Sequence, residues 1–165
     1  IEGDTIRLWA QPAPATGPGR DLDAILARAV ATWNAVGLPV RFAPVADSAR
    51  ADVRVHWVRT DREADVAGRA RLRIAGGTDR ILSATIALAT HMPSGYPYPE
   101  AAALGNALHE LGHALGIQHT GRYDCVMFPI PQRSALCPAD VETARRWYAL
   151  PTGLVTSAPT APARQ

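Results

Sequence analysis

Three of the five histidines in this chain fall within one short segment, His109-Glu110-Leu111-Gly112-His113-Ala114-Leu115-Gly116-Ile117-Gln118-His119. On a helix, residues four apart lie on one face with Cβ atoms about 5–6 Å apart, so His109 and His113 can grip a single metal ion. Glu110 sits one step round the same helix, where its carboxylate can reach a metal-bound water without ligating the metal. Gly116 can leave the right-handed helical region at little cost, which lets the chain double back and bring His119 in as a third nitrogen. Three protein nitrogens with an open water position define a catalytic zinc, whereas structural zinc sites are closed by four ligands. A bare His-Glu-x-x-His is a modest signal. Five fixed positions (His109, Glu110, His113, Gly116 and His119) are a far stronger one.

These residues need a helix to present them. The apolar positions Ala101, Leu104, Leu108, Leu111 and Leu115 recur at helical spacing from about Glu100 to Leu115. The Pro-rich stretch Met92 to Pro99 must be loop. An earlier helix is expected from an N-cap at Asp21 to about Val36, with Leu22, Leu26, Ala29, Val30 and Trp33 on its buried face and Gly37 as its stop. Strands are expected at Thr5 to Trp9, Val40 to Val45, Asp52 to Val58 and Arg80 to Ala89. In Val66 to Ile74, Arg69, Arg71 and Arg73 alternate with Ala70, Leu72 and Ile74. One heavily charged face suits a sheet edge, where charge blocks unwanted pairing. A last helix is expected from about Ala139 to Leu150, packing through Val141, Ala144, Trp147 and Tyr148. The Pro-, Ala- and Thr-rich residues after it read as a disordered tail.

Composition narrows the function classes. The 165 residues are 47% hydrophobic and carry a net charge of +2, which suits one domain and argues against an electrostatic nucleic-acid binder. No apolar run approaches the roughly 20 residues of a membrane span. The opening Ile1-Glu2-Gly3-Asp4 has no charged region followed by an apolar stretch and does not read as a signal peptide; a secreted, extracellular or periplasmic protein is expected, with its signal peptide cut away or left out of this sequence. The two cysteines, Cys125 and Cys137, are either a disulfide of an exported protein or two unrelated thiols of a cytosolic one. Their short loop beside the proposed site favours the disulfide, worth about 3 kcal/mol by loop entropy.

The segment from His109 to His119 resembles the extended zinc motif of the metzincin metalloproteases, His-Glu-x-x-His-x-x-Gly-x-x-His. Met127, in Cys125-Val126-Met127-Phe128-Pro129, stands where that clan has a methionine turn beneath the metal. Its Met-x-Pro pattern, with Gly112, Leu115 and Gly116, is similar to the matrixin branch. Trp33-Asn34, Pro39-Val40-Arg41-Phe42, Ala51-Asp52-Val53-Arg54-Val55, Pro138-Ala139-Asp140-Val141 and Trp147-Tyr148-Ala149-Leu150-Pro151 extend the resemblance over residues 5 to 151.

That resemblance implies an α+β metzincin fold. A twisted mixed sheet of about five strands would carry a backing helix and an active-site helix, followed by a small C-terminal subdomain ending in a helix. Residues 1–151 would form the catalytic domain, divided near residue 116, with 152–165 as tail. It implies one catalytic Zn2+ on His109, His113 and His119, Glu110 as general base, and a monomeric endopeptidase. Its substrate would be an extended peptide paired with Gly68, Arg69, Ala70, Arg71 and Leu72 of the edge strand. The loop from Phe128 to Leu136 would border the primed-side pocket, with Arg133 solvated. Several features depart from the family. Thr120 replaces the usual serine, the segment with structural zinc and calcium ligands is missing or shortened, and the pro-segment cysteine is absent. Bound calcium is left open, and His56 and His91 read as ordinary strand and loop histidines. The competing readings are a metzincin of another branch, a metal hydrolase acting on something other than a protein, and a zinc-stabilised binding or adhesion module without turnover.

Overall fold

A computed structural model describes residues 4–15, 21–60, 67–78 and 80–150. Its elements are β1 (Thr5–Ala10), α1 (Leu22–Asn34), β2 (Arg41–Pro44), a single 3-10 turn (Ser48–Arg50), β3 (Val53–Val58), β4 (Gly68–Ile74), β5 (Ile81–Ala89), α2 (Glu100–Ala114) and α3 (Pro138–Ala149). The five strands form one sheet in the order β2-β1-β3-β5-β4, parallel except for β4, which runs antiparallel to β5. The expected α+β class is what the structure has: among the described residues there are a five-stranded mixed sheet and three helices, the last one following the strands near the C-terminal end. The tail, the start of the edge strand at Val66 and the loop at 16–20 lie outside the described residues.

Alternation decides which side of the sheet is covered. Ile6, Leu8, Phe42, Val53, Val55, Ala84, Ile86 and Leu88 are buried in one cluster with α1 and α2. Their neighbours of opposite parity, including Arg7, Arg54, Thr85, Arg71 and Arg73, stay partly or fully exposed, as the twofold repeat of a strand requires. The two helices lie against each other. Trp33 of α1, almost wholly buried, donates its indole N–H to the Leu108 carbonyl of α2 at 2.8 Å, so its role is core packing.

Helix α1 starts as expected, with the Asp21 carboxylate accepting from the Ala24 N–H at 2.9 Å. It ends two residues before the expected Val36, and the side chain of Asn34 gives the reason. Its amide donates to the Phe42 carbonyl and accepts from the Phe42 N–H, both at 2.9 Å, which clamps the helix end to β2. Gly37 then turns the chain with φ +77°. In α3, only Asp140 and Ala144 are fully buried, and Val141, Trp147 and Tyr148 are half-buried. The core therefore ends at one face of this helix. No helix among the described residues is long and apolar enough to cross a membrane.

Candidate metal centre

Helix α2 is buried along nearly its whole length, from Ala103 to Gly112 without a break. Two of its glycines allow the close approaches that bury it. A Cβ on Gly105 would stand 2.4 Å from the Arg133 carbonyl oxygen, and one on Gly112 would stand 2.4 Å from Met127 Sδ. The irregular segment between α2 and α3 therefore lies directly on the helix, with Met127 buried at the contact. Arg133 itself is exposed, as expected.

The helix ends where Gly116 takes φ +86°, and the chain reverses to bring back His119. The three imidazole Nε2 atoms converge: His109 to His113 is 3.0 Å, and each lies 3.2 Å from His119. In a tetrahedral site with Zn–N of about 2.0–2.1 Å, ligand nitrogens lie about 3.3 Å apart. The spacing fits a divalent ion such as zinc. The outer nitrogens reinforce the fit. His109 Nδ1 faces the Val126 carbonyl and His113 Nδ1 faces the Ile117 carbonyl, both at 2.8 Å. A carbonyl only accepts, so each Nδ1 carries the proton and each Nε2 presents a lone pair. Burial holds both rings neutral, drawing His109 down to about 4 and His113 below its ordinary value. Neutral rings directing lone pairs at one another from 3.0 Å are complementary to a cation, not to each other. No carboxylate among the described residues joins the trio as a fourth ligand.

Glu110 lies beneath the edge strand. Its carboxylate accepts a hydrogen bond from the Ala70 amide, and burial pushes its pKa up to about 8 against the opposing pull of that amide and of Arg69. Its Oε2 is buried with no hydrogen-bond partner among the described residues. A Cβ on Gly68 would come within 2.7 Å of Glu110 Oε1, so only glycine admits the acid here. Strand β4 is one edge of the sheet, as expected. The Ala89 N–H donates to the Ala67 carbonyl, and the register pairs Arg69 with Ala87 and Arg71 with Thr85. Antiparallel pairs alternate, so the backbone groups of Gly68, Ala70 and Leu72 face outward from the sheet. The structure thus brings Glu110 to the outer edge of the segment Gly68 to Leu72.

Cys125 and Cys137 form a disulfide, which points to an oxidising compartment. Between them, Met127 accepts the Thr120 N–H at its carbonyl, 2.9 Å away. The residue that sequence reasoning missed is Asp140. Fully buried, it accepts from the N–H groups of Val126 at 2.9 Å, Met127 at 3.3 Å and Cys137 at 3.0 Å. It therefore fixes the peptide whose carbonyl holds His109. The structure closes Cys137 and Asp140 as a capping box, but cysteine is not a usual capping residue, and the one readable signal was Pro138 at the start of the helix. His56 packs its ring edge-on to Trp9, and His91 bonds Thr90 Oγ1 at 2.8 Å. Neither belongs to a metal-binding group among the described residues. No known protein-family model matches the chain, and no curated protein matches it in sequence.

Proposed function

We propose that this chain is a secreted zinc-dependent endopeptidase of the metzincin type, matrixin-like in its motif and in its edge strand. The observation that carries the reading is the convergence of three imidazole Nε2 atoms within 3.2 Å, with a buried glutamate on the adjoining helical position. A binding module stabilised by zinc has no use for that glutamate.

His109, His113 and His119 would hold the ion. A zinc ion there supplies Lewis acidity, which lowers the pKa of water toward about 7 and polarises a carbonyl. The charge of a bound ion would favour the ionised form of Glu110, which would take a proton from the attacking water through Oε2 and later return it to the departing amine, so one water and one peptide bond become a carboxylate and an amine. The Ala70 amide holds the other side of that carboxylate in place. The outward carbonyls of Gly68, Ala70 and Leu72 line up an extended peptide by strand addition. Met127 does not ligate; it packs under the histidines through the gap at Gly112.

The test combines elemental analysis with cleavage of an unfolded casein-type protein by wild type, chelated wild type and Glu110→Ala. The reading expects about one zinc per chain in wild type and in Glu110→Ala, with hydrolysis only by the metal-loaded wild type. Undiminished cleavage by Glu110→Ala would sink the general-base role. Stoichiometric zinc with no cleavage of any protein would favour the binding module.

A further inference from the structure

Asn106 is the one residue of α2 whose chemistry the metal centre leaves unexplained. It lies in the apolar stretch between Leu104 and Leu108, is 6% exposed, and its Nδ2 has no hydrogen-bond partner among the described residues. A leucine or valine would suit that stretch better, because a buried amide without a partner is destabilising. Glu110 Oε2 is the only other buried side-chain nitrogen or oxygen in that condition among the described residues. The two residues are four apart on one helix, which places them on the same face with Cβ atoms about 5–6 Å apart. One offers a donor and the other an acceptor. Two opposite and unsatisfied groups at that spacing are each other's natural complement, and a single water meets both where the side chains do not touch.

We propose that Asn106 is a positioning residue for Glu110, its Nδ2–H donating to the Oε2 side of the carboxylate through one bridging water. The Ala70 amide then restrains Glu110 from the strand side, and Asn106 restrains it from the preceding helical turn. Between them they hold the carboxylate in one rotamer. The catalytic consequence rests on the endopeptidase reading above, while the pairing itself does not.

The test is therefore a double-mutant cycle in urea on the metal-loaded protein, using Asn106→Leu, Glu110→Ala and the double variant. If the amide serves Glu110, Asn106→Leu destabilises the protein when Glu110 is present and stabilises it when Glu110 is absent. The unfolding constants are then non-additive by roughly 2- to 100-fold. An amide that ignores Glu110 gives the same change in both backgrounds, and that result overturns the proposal. Hydrolysis supplies the second readout. Asn106→Leu should lower kcat by about 10- to 100-fold, since a small misplacement of a catalytic group costs that much, with KM and zinc content held. Unchanged kcat in a folded, zinc-loaded Asn106→Leu protein would also overturn it. If wild type cleaves nothing, the endopeptidase reading fails, and the urea cycle still decides the pairing.

Discussion

The ligand trio is assembled from two regions of unlike construction. His109 and His113 stand on α2, a helix buried over most of its length and clamped through Leu108 to Trp33. His119 is exposed and stands on an irregular segment. That segment is held by the Thr120–Met127 backbone bond, the three bonds to Asp140 and one disulfide. The helix fixes where its two histidines stand, although their rings are aimed by the Val126 and Ile117 carbonyls beyond its end. The segment keeps the third only while its few long-range ties hold. Local stability of this uneven kind is usual where a site must be finished by tertiary contacts.

Breaking the ligands themselves has the largest effect. His109→Ala should abolish stoichiometric zinc, because it removes both a ligand and the bond to Val126 that joins the two regions. His119→Ala should leave a weaker site built on α2 alone. Competition with a chromophoric chelator would rank them, and equal affinities would mean that the helix is no better organised than the segment. Replacing both cysteines, Cys125→Ala with Cys137→Ala, should cost about 3 kcal/mol for a loop of this length. Hydrogen exchange should then rise between Ile117 and Cys137 and stay low in α2; matching increases in both regions would erase the contrast. Gly112→Ala tests the contact between the regions. Its Cβ meets Met127 Sδ at 2.4 Å and Trp33 Cζ2 at 3.1 Å, an overpacking worth about 1–3 kcal/mol in urea unfolding.

The smallest effect is a control remote from both regions. Arg7 hydrogen-bonds Asp52 through its side chain, at 2.7 and 2.9 Å, and through its backbone N–H, which holds the Asp52 carboxyl below its ordinary value. A depressed folded-state value means stability present above the unfolded pKa and lost as pH falls through the folded one. Wild type should therefore exceed Asp52→Asn in stability at pH 6, and the gap should narrow as pH drops below about 4. Zinc affinity should be alike in the two proteins at pH 7.

Much of this was legible because it depends on local spacing. The His-x-x-x-His step and the arginine alternation of β4 follow from helical and strand periodicity, and the glycine three residues later and the Asp21 cap follow from residue type at a helix end. What escaped depends on contacts between residues far apart in sequence. Nothing near Asn34 says that its amide will seize Phe42 and shorten α1. Nothing near Asp140 says that its carboxylate will reach back to Val126. The Ala70 amide meets Glu110 only once the sheet order has put β4 beside α2, and that order is a property of the whole chain. Among the site residues, those that bear lone pairs for a cation were readable, and those that hold them still were mostly not.

The border of the sheet at β4 has one more consequence, for how copies of this protein meet. An open margin of outward amides and carbonyls ordinarily invites like-with-like stacking in solution. Here one outward donor, that of Ala70, is already taken up by Glu110, so a second molecule would find a broken ladder. It would also bring its own guanidinium row of Arg69, Arg71 and Arg73 against an identical one. At this margin a second copy therefore meets a poor template, and replacing the three arginines of β4 should make edge-to-edge association there easier.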